Sequence, residues 1–232
     1  MNSTGLIIFA RLDSSRLPKK TLKKIGTKTL LEHVIDRAKL VSSKYPIIVA
    51  TSNREIDDDI VKAAKKNKVF SYRGSYKDVA KRALECCEFF KLDRFVRICG
   101  DRPFHLPCLT KLLVQKHKEK NLDLATNYMK KTYPSGVICE VISKRAMNKV
   151  IELTKNHYQR EHITDFFYQN KRFFKIFNLE SFRKDISNFR FSIDTSEDLE
   201  KANWFVKKFN GNISKATLDD LIKLEKDYGK RK

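Results

Sequence analysis

A chain of 232 residues with 41% hydrophobic residues and 16 Phe is long enough for one large α/β domain or two small ones, and apolar enough to fill a core, which excludes an intrinsically disordered chain. The 49 Lys and Arg outweigh the 28 Asp and Glu to leave a net charge of +21. Such a field favours a polyanion without choosing among nucleic acid, an anionic membrane and a phosphorylated small molecule.

Taken in chain order, apolar runs and turn residues alternate regularly through the first half. Residues 5–10 (GLIIFA) read as a strand and 30–41 as a helix, with a basic loop between them. Strands follow at 46–52, 68–72 and 94–99, separated by helical patterns at 56–66 and 77–90; a helix at 107–119 and a strand at 122–127 complete the run. This alternation predicts an α/β fold with a mostly parallel sheet and helices on both faces. Beyond residue 127 the pattern changes to strands at 137–143, 173–180 and 189–194 and helices at 144–155, 160–170 and 196–209. With no Pro-, Gly- or Ser-rich linker before it, this part reads as the second half of one domain, 1–211, with a small β-arm toward a partner subunit. Residues 212–232 read as a C-terminal helix and a basic tail.

Cys86, Cys87, Cys99, Cys108 and Cys139 contain no C-x-x-C pair and are odd in number, which argues against a disulfide framework or a zinc site. No apolar stretch approaches the roughly 18 residues of a membrane span. The first residues lack a basic segment and a cleavage site, so a cytoplasmic location is expected.

In an open parallel sheet, ligands bind beyond the carboxyl ends of the strands. That rule selects the loop 11–20, Thr51 to Asn53, Arg73 to Ser75, and Gly100 to Pro103. Arg11, Arg16 and Lys20, with serine hydroxyls beside them, are donors suited to a triphosphate, although the P-loop and dinucleotide glycine patterns are absent. Asp101 and Asp194 each end an apolar strand. Asp194 also reads as part of an ordinary helix cap, whereas the pair together suits one Mg²⁺, which takes one or two carboxylates plus phosphate oxygens.

Three ordered motifs carry a resemblance: Ala10-Arg11-x-x-Ser14-x-Arg16-Leu17-Pro18-x-Lys20-x-Leu22, Arg97-x-x-Gly100-Asp101-x-Pro103, and Asp194-Thr195-x-Glu197-Asp198-Leu199. Further matches are Val49 to Ser52, Arg73-Gly74-Ser75 with Asp78-Val79 and Arg82, Tyr133-Pro134-x-Gly136, Glu140-Val141 and Arg160-Glu161-His162. Over about residues 6–205 the chain resembles the cytidylyltransferases that activate acidic sugars. The spore-coat-polysaccharide type is the nearest, with 3-deoxy-manno-octulosonate and N-acylneuraminate cytidylyltransferases as relatives.

The resemblance implies a nucleotide-diphospho-sugar-transferase-like fold and a Mg²⁺-dependent transfer of CMP from CTP to a sugar acid or related acceptor, with release of pyrophosphate. It also implies a homodimer with no specific nucleic-acid partner and no membrane partner. Catalysis would fall to Arg11, Arg16, Lys20 and Asp101, and the metal to Asp101 and Asp194. Nucleotide binding would use Ala10, Arg11, Ser14, Arg16, Lys20, Thr51, Arg73, Ser75, Arg82 and Gly100; the acceptor would meet Tyr133, Glu140, Arg160 and His162. Asp13 and Lys19 stand where relatives commonly carry glycine, and Ile138 where the spore-coat type usually has Asp. Two other readings stand beside this one: a basic nucleic-acid-binding protein, and a degenerate relative that binds nucleotide without turnover.

Overall fold

The computed structural model describes residues 3–154, 156–183 and 186–231. Strand β1 (Thr4–Phe9) lies inside a seven-stranded sheet, third from one edge, with apolar side chains buried on both faces. Leu6 and Ile8 point into one core layer and Ile7 into the other, the period of two that makes a doubly covered strand apolar throughout. Parallel to β1 run β4 (Ile47–Ser52) on one side and β6 (Arg94–Cys99) on the other, with β5 (Phe70–Gly74) outside β4. Beyond β6 come β8 (Glu140–Ser143), β7 (Leu124–Thr126) and β9 (Ile176–Asn178). Only β8 runs against its neighbours. A separate hairpin pairs β2 (Lys24–Ile25) with β3 (Lys28–Thr29) through Gly26, whose φ is +64°.

Helices α1 (Leu30–Lys39), α4 (Pro107–Glu119), α8 (Ser196–Lys208) and α9 (Leu218–Gly229) fill one layer through Val34, Leu113, Phe205 and Leu221. The opposite layer takes Ala80 of α3 (Val79–Phe89), Met147 of α5 (Lys144–Leu153) and Phe167 of α7 (Asp165–Gln169). Helix α2 (Asp58–Lys66) contacts β4 and β5. Three capping boxes start helices at sequence signals: Thr29 with Glu32 for α1, Thr195 with Asp198 for α8, and Thr217 with Asp220 for α9. The residues after α8 are tied back by buried Arg37, whose guanidinium donates to the carbonyls of His105 at 2.6 Å, Ile213 at 2.8 Å and Ala216 at 2.9 Å.

The α/β architecture of the sequence reading holds, and three local elements differ from it. The helix expected at 160–170 is two short ones, α6 (His157–Glu161) and α7, because the backbone leaves helical geometry at His162 and turns Ile163 into the core. The strand expected at 189–194 forms a single bridge, Ser135 to Arg190. Its alternation is real, with Phe191 and Ile193 buried, but it packs on the core without a ladder. Gly136 (φ +95°) permits this approach: a Cβ there would sit 2.4 Å from the backbone of Phe191 and Ser192. The helix expected at 144–155 extends to Leu153, and residue 155 lies outside the described residues. No helix among the described residues is long and apolar enough to cross a membrane.

Candidate active site

The loop after β1 is held from beneath. Leu12 and Leu17 are buried, the Leu12 N–H donates to Asp57 Oδ1 at 2.8 Å, and Lys19 N donates to Leu12 O at 3.1 Å. Lys19 adopts φ +53°, a conformation that favours glycine. Asp13 is not strained. Its carboxylate pairs with Arg54 at 3.0 Å and Arg11 at 3.5 Å. Burial pushes the Asp13 carboxyl up, but hydrogen bonds from Tyr76 and Arg54 and the Arg11 charge outweigh it and hold the group below its ordinary range. Gly100 lies against the first strand's end, donating from its N–H to Phe9 O at 2.9 Å.

Beyond these strand ends opens a cleft of about 350 Å³. Of the residues singled out from the sequence, Ala10, Arg11, Ser14, Arg16, Lys20, Arg82, Gly100, Asp101 and His162 line it. Lys20 forms the hub. Its ammonium donates to Asp101 Oδ2 at 2.9 Å, Asp194 Oδ1 at 3.0 Å and Ile193 O at 3.1 Å. Burial lowers the Lys20 pKa, yet the two carboxylates more than reverse this and leave it raised. Arg16 also reaches Asp194 Oδ1 at 2.8 Å, and Arg190 takes Asp194 Oδ2 at 2.7 Å. For Asp194 burial acts upward and is overcome by Lys20, Arg16 and Arg190, so its carboxyl titrates below the usual range. The cap at α8 is made by Thr195 and Asp198, and the Asp194 carboxylate faces the cations.

Six other selected residues lie elsewhere. Thr51 is wholly buried within β4. Arg73 pairs with Asp58 and the Arg54 carbonyl, and Ser75 accepts from Asp78 N at 3.1 Å. Tyr133 packs on the core beside the chain that carries Gly136. Glu140 is buried beneath the cleft, accepting from Arg97 at 2.5 Å and the Tyr168 hydroxyl at 2.6 Å. Arg160 braces α6, donating to the carbonyls of Thr154 and Ile151 and pairing with Asp78 at 3.0 Å.

Among the lining residues given no site role from the sequence, Glu161 and Arg97 stand out, each quoted there only as part of a motif. Glu161 takes Arg11 at 2.5 Å across 150 residues of sequence, and nothing local signals such a pairing. Arg97 was legible as a charge inside the otherwise apolar run 94–99, which a doubly covered strand keeps only for a purpose. A wider groove of about 800 Å³ lies between α8 and α9 around Trp204 and Lys208, but it holds neither strand ends nor a carboxylate pair. The chemistry therefore points to the smaller cleft.

A mostly parallel sheet whose strand-end cleft gathers arginines, a lysine, hydroxyls and carboxylates, with Asp194 tied to it through Lys20 and Arg16, has the form of a nucleotidyltransferase. The protein-family description "Cytidylyltransferase" matches residues 6–225, and the chain belongs to that family. It is 36% identical over 196 residues to an uncharacterized protein of Methanocaldococcus jannaschii, covering 84% of this chain and 79% of the other. It is also 29% identical over 215 residues to the spore coat polysaccharide biosynthesis protein SpsF of Bacillus subtilis, covering 90% and 88%. The solved structure of a cytidylyltransferase from Leptospira borgpetersenii superposes with a TM-score of 0.92 at 29% identity, over 99% of this chain and 96% of that one.

Proposed function

We propose that the chain transfers CMP from CTP to a sugar acid or related small acid, releasing pyrophosphate, as a cytoplasmic, homodimeric enzyme of surface-polysaccharide or glycoconjugate synthesis. The observation that carries this reading is the Lys20 hub joining Asp101 and Asp194 at the mouth of β1 and β6, in a chain of the cytidylyltransferase family. The name of the Bacillus relative supports the polysaccharide setting.

In this reading Arg11, Arg16 and Lys20 exchange their internal carboxylates for phosphate oxygens when the triphosphate enters. The acceptor oxygen attacks the α-phosphorus as the bond to pyrophosphate breaks, and the same cations take the charge that develops on the leaving group. Ser14 adds a hydroxyl donor beside them. Asp101 and Asp194 are a hard-oxygen pair that fits a divalent ion such as Mg²⁺, which supplies charge neutralisation on phosphate when bound. Among the described residues no set of three or more His, Cys, Asp or Glu gathers as a metal site, so the two carboxylates would hold the ion together with phosphate oxygens. On the acceptor side Arg97, oriented by Glu140, and His162 face the cleft, while Arg160 positions α6 beneath them.

Calorimetric titration with CTP, UTP, ATP and GTP, each with Mg²⁺ at near-physiological salt, tests the reading. Preference for CTP, followed by pyrophosphate release in an acceptor screen, is expected. Equal and strongly salt-dependent binding of all four nucleotides would overturn it.

A further inference from the structure

Arginines are rarely buried without an oxygen partner, because an uncompensated charge in the interior is costly. Arg37, 1% exposed, meets that demand with three carbonyls. Arg82, 2% exposed on the first turn of α3, does not. Its Nε and Nη1 are buried with no hydrogen-bond partner, and no carboxylate among the described residues pairs with it. The guanidinium lies 5.8 Å from the centre of the Phe9 ring. Arg11 and Arg54 repel it; Asp57 attracts it, but that carboxylate is already taken by Leu12 N, the Ser52 hydroxyl and Arg54. Gly74 gives the side chain room, since a Cβ there would lie 2.9 Å from Arg82 Cγ.

The other cations selected from the loop, Arg11, Arg16 and Lys20, each hold an internal carboxylate, whereas Arg82 lines the same cleft with none. The contact with Phe9 returns only part of the cost of burying the charge, and an apolar side chain of similar length on α3 would leave no charge to compensate.

We propose that Arg82 is the cleft's oxyanion receptor, a residue that lowers the stability of the empty protein so that a phosphate or carboxylate oxygen of the substrate can satisfy its unmet N–H groups. A full negative charge is the better match than a neutral carbonyl, since charge-assisted hydrogen bonds are roughly twice as strong. The inference rests on the reading of this cleft as the substrate site.

The test compares wild type with Arg82→Met and Arg82→Lys by thermal unfolding and by calorimetry with pyrophosphate, CTP, cytidine and the sugar acid 3-deoxy-manno-octulosonate. Arg82→Met without ligand is expected to unfold at or above the wild-type temperature. It should bind its oxyanion at least about tenfold more weakly, leave cytidine binding unchanged, and be partly rescued in Arg82→Lys. Weakening confined to pyrophosphate and CTP identifies phosphate as the source; weakening confined to the sugar acid identifies a carboxylate. An Arg82→Met chain that fails to fold or loses several degrees overturns the proposal, as does unchanged binding of every oxyanion or equal weakening of cytidine. CTP preference with unweakened binding of every oxyanion in Arg82→Met removes this inference and leaves the cytidylyl reading. Arg82-dependent pyrophosphate binding without CTP preference does the reverse.

Discussion

Replacing Lys20 by Met removes one ammonium and three hydrogen bonds, but the consequences for its partners are unequal. Asp194 keeps Arg16 at 2.8 Å and Arg190 at 2.7 Å, whereas Asp101 has no other ion-pair partner among the described residues. Breaking a fully buried pair costs about 3–5 kcal/mol; the Asp101 side chain is 29% exposed, so water recovers part of this and a loss of about 2–3 kcal/mol is expected. For a chain of this length that lowers the unfolding midpoint by about 4–12 °C. Added Mg²⁺ or Mn²⁺ should restore more of the midpoint in Lys20→Met than it adds to wild type, because the freed Asp101 carboxylate lacks a counter-charge. Thermal unfolding with and without the ion reads both effects. A midpoint within about 2 °C of wild type, or an equal response of both proteins to metal, would refute the ion-cluster reasoning.

Arg37→Met should cost about 3 kcal/mol by leaving three carbonyls without their donor and should speed proteolytic cleavage between α8 and α9; an unchanged midpoint and digestion pattern would count against the clamp. Acid should destabilise the protein before any carboxylate titrates. Burial, assisted by Arg37, pushes His105 down to about 3, and burial with Arg94 pushes His117 to about 4. Below about 6.5 the unfolded chain therefore binds protons that the folded chain refuses, and stability falls by about 2 kcal/mol for each imidazole at pH 5. The Asp194 contribution, present above about 3.8, is lost later, as pH falls through its lowered folded value. Urea unfolding from pH 7 to 5 measures the histidine part, and a flat profile there would contradict it.

The strands β1, β4 and β6 were legible because burial on both faces leaves an apolar run that polar neighbours interrupt sharply. The same reasoning missed at 189–194, since alternating Phe191 and Ile193 report burial and not ladder pairing. Within the cleft, Arg11, Arg16, Lys20 and Asp101 followed from the strand-end rule. Thr51 and Arg73 lie at strand ends too, yet one points into the core and the other is held by Asp58, a difference of side-chain direction that spacing alone does not encode. The Glu161 contact to Arg11 depends on where the turn after α6 lands, which only tertiary packing decides.

Arg37 also sets an order of events during translation. Its acceptors at Ile213 and Ala216 leave the ribosome long after α1 does, on the order of ten seconds or more at ordinary elongation rates. Throughout that interval the nascent helix carries a charged guanidinium on the face that will be buried, solvated and unable to dock. Because α1 packs against residues 20–22, the base of the cleft waits with it. The cleft at the end of β1 is thus completed only when residues 213–216 emerge.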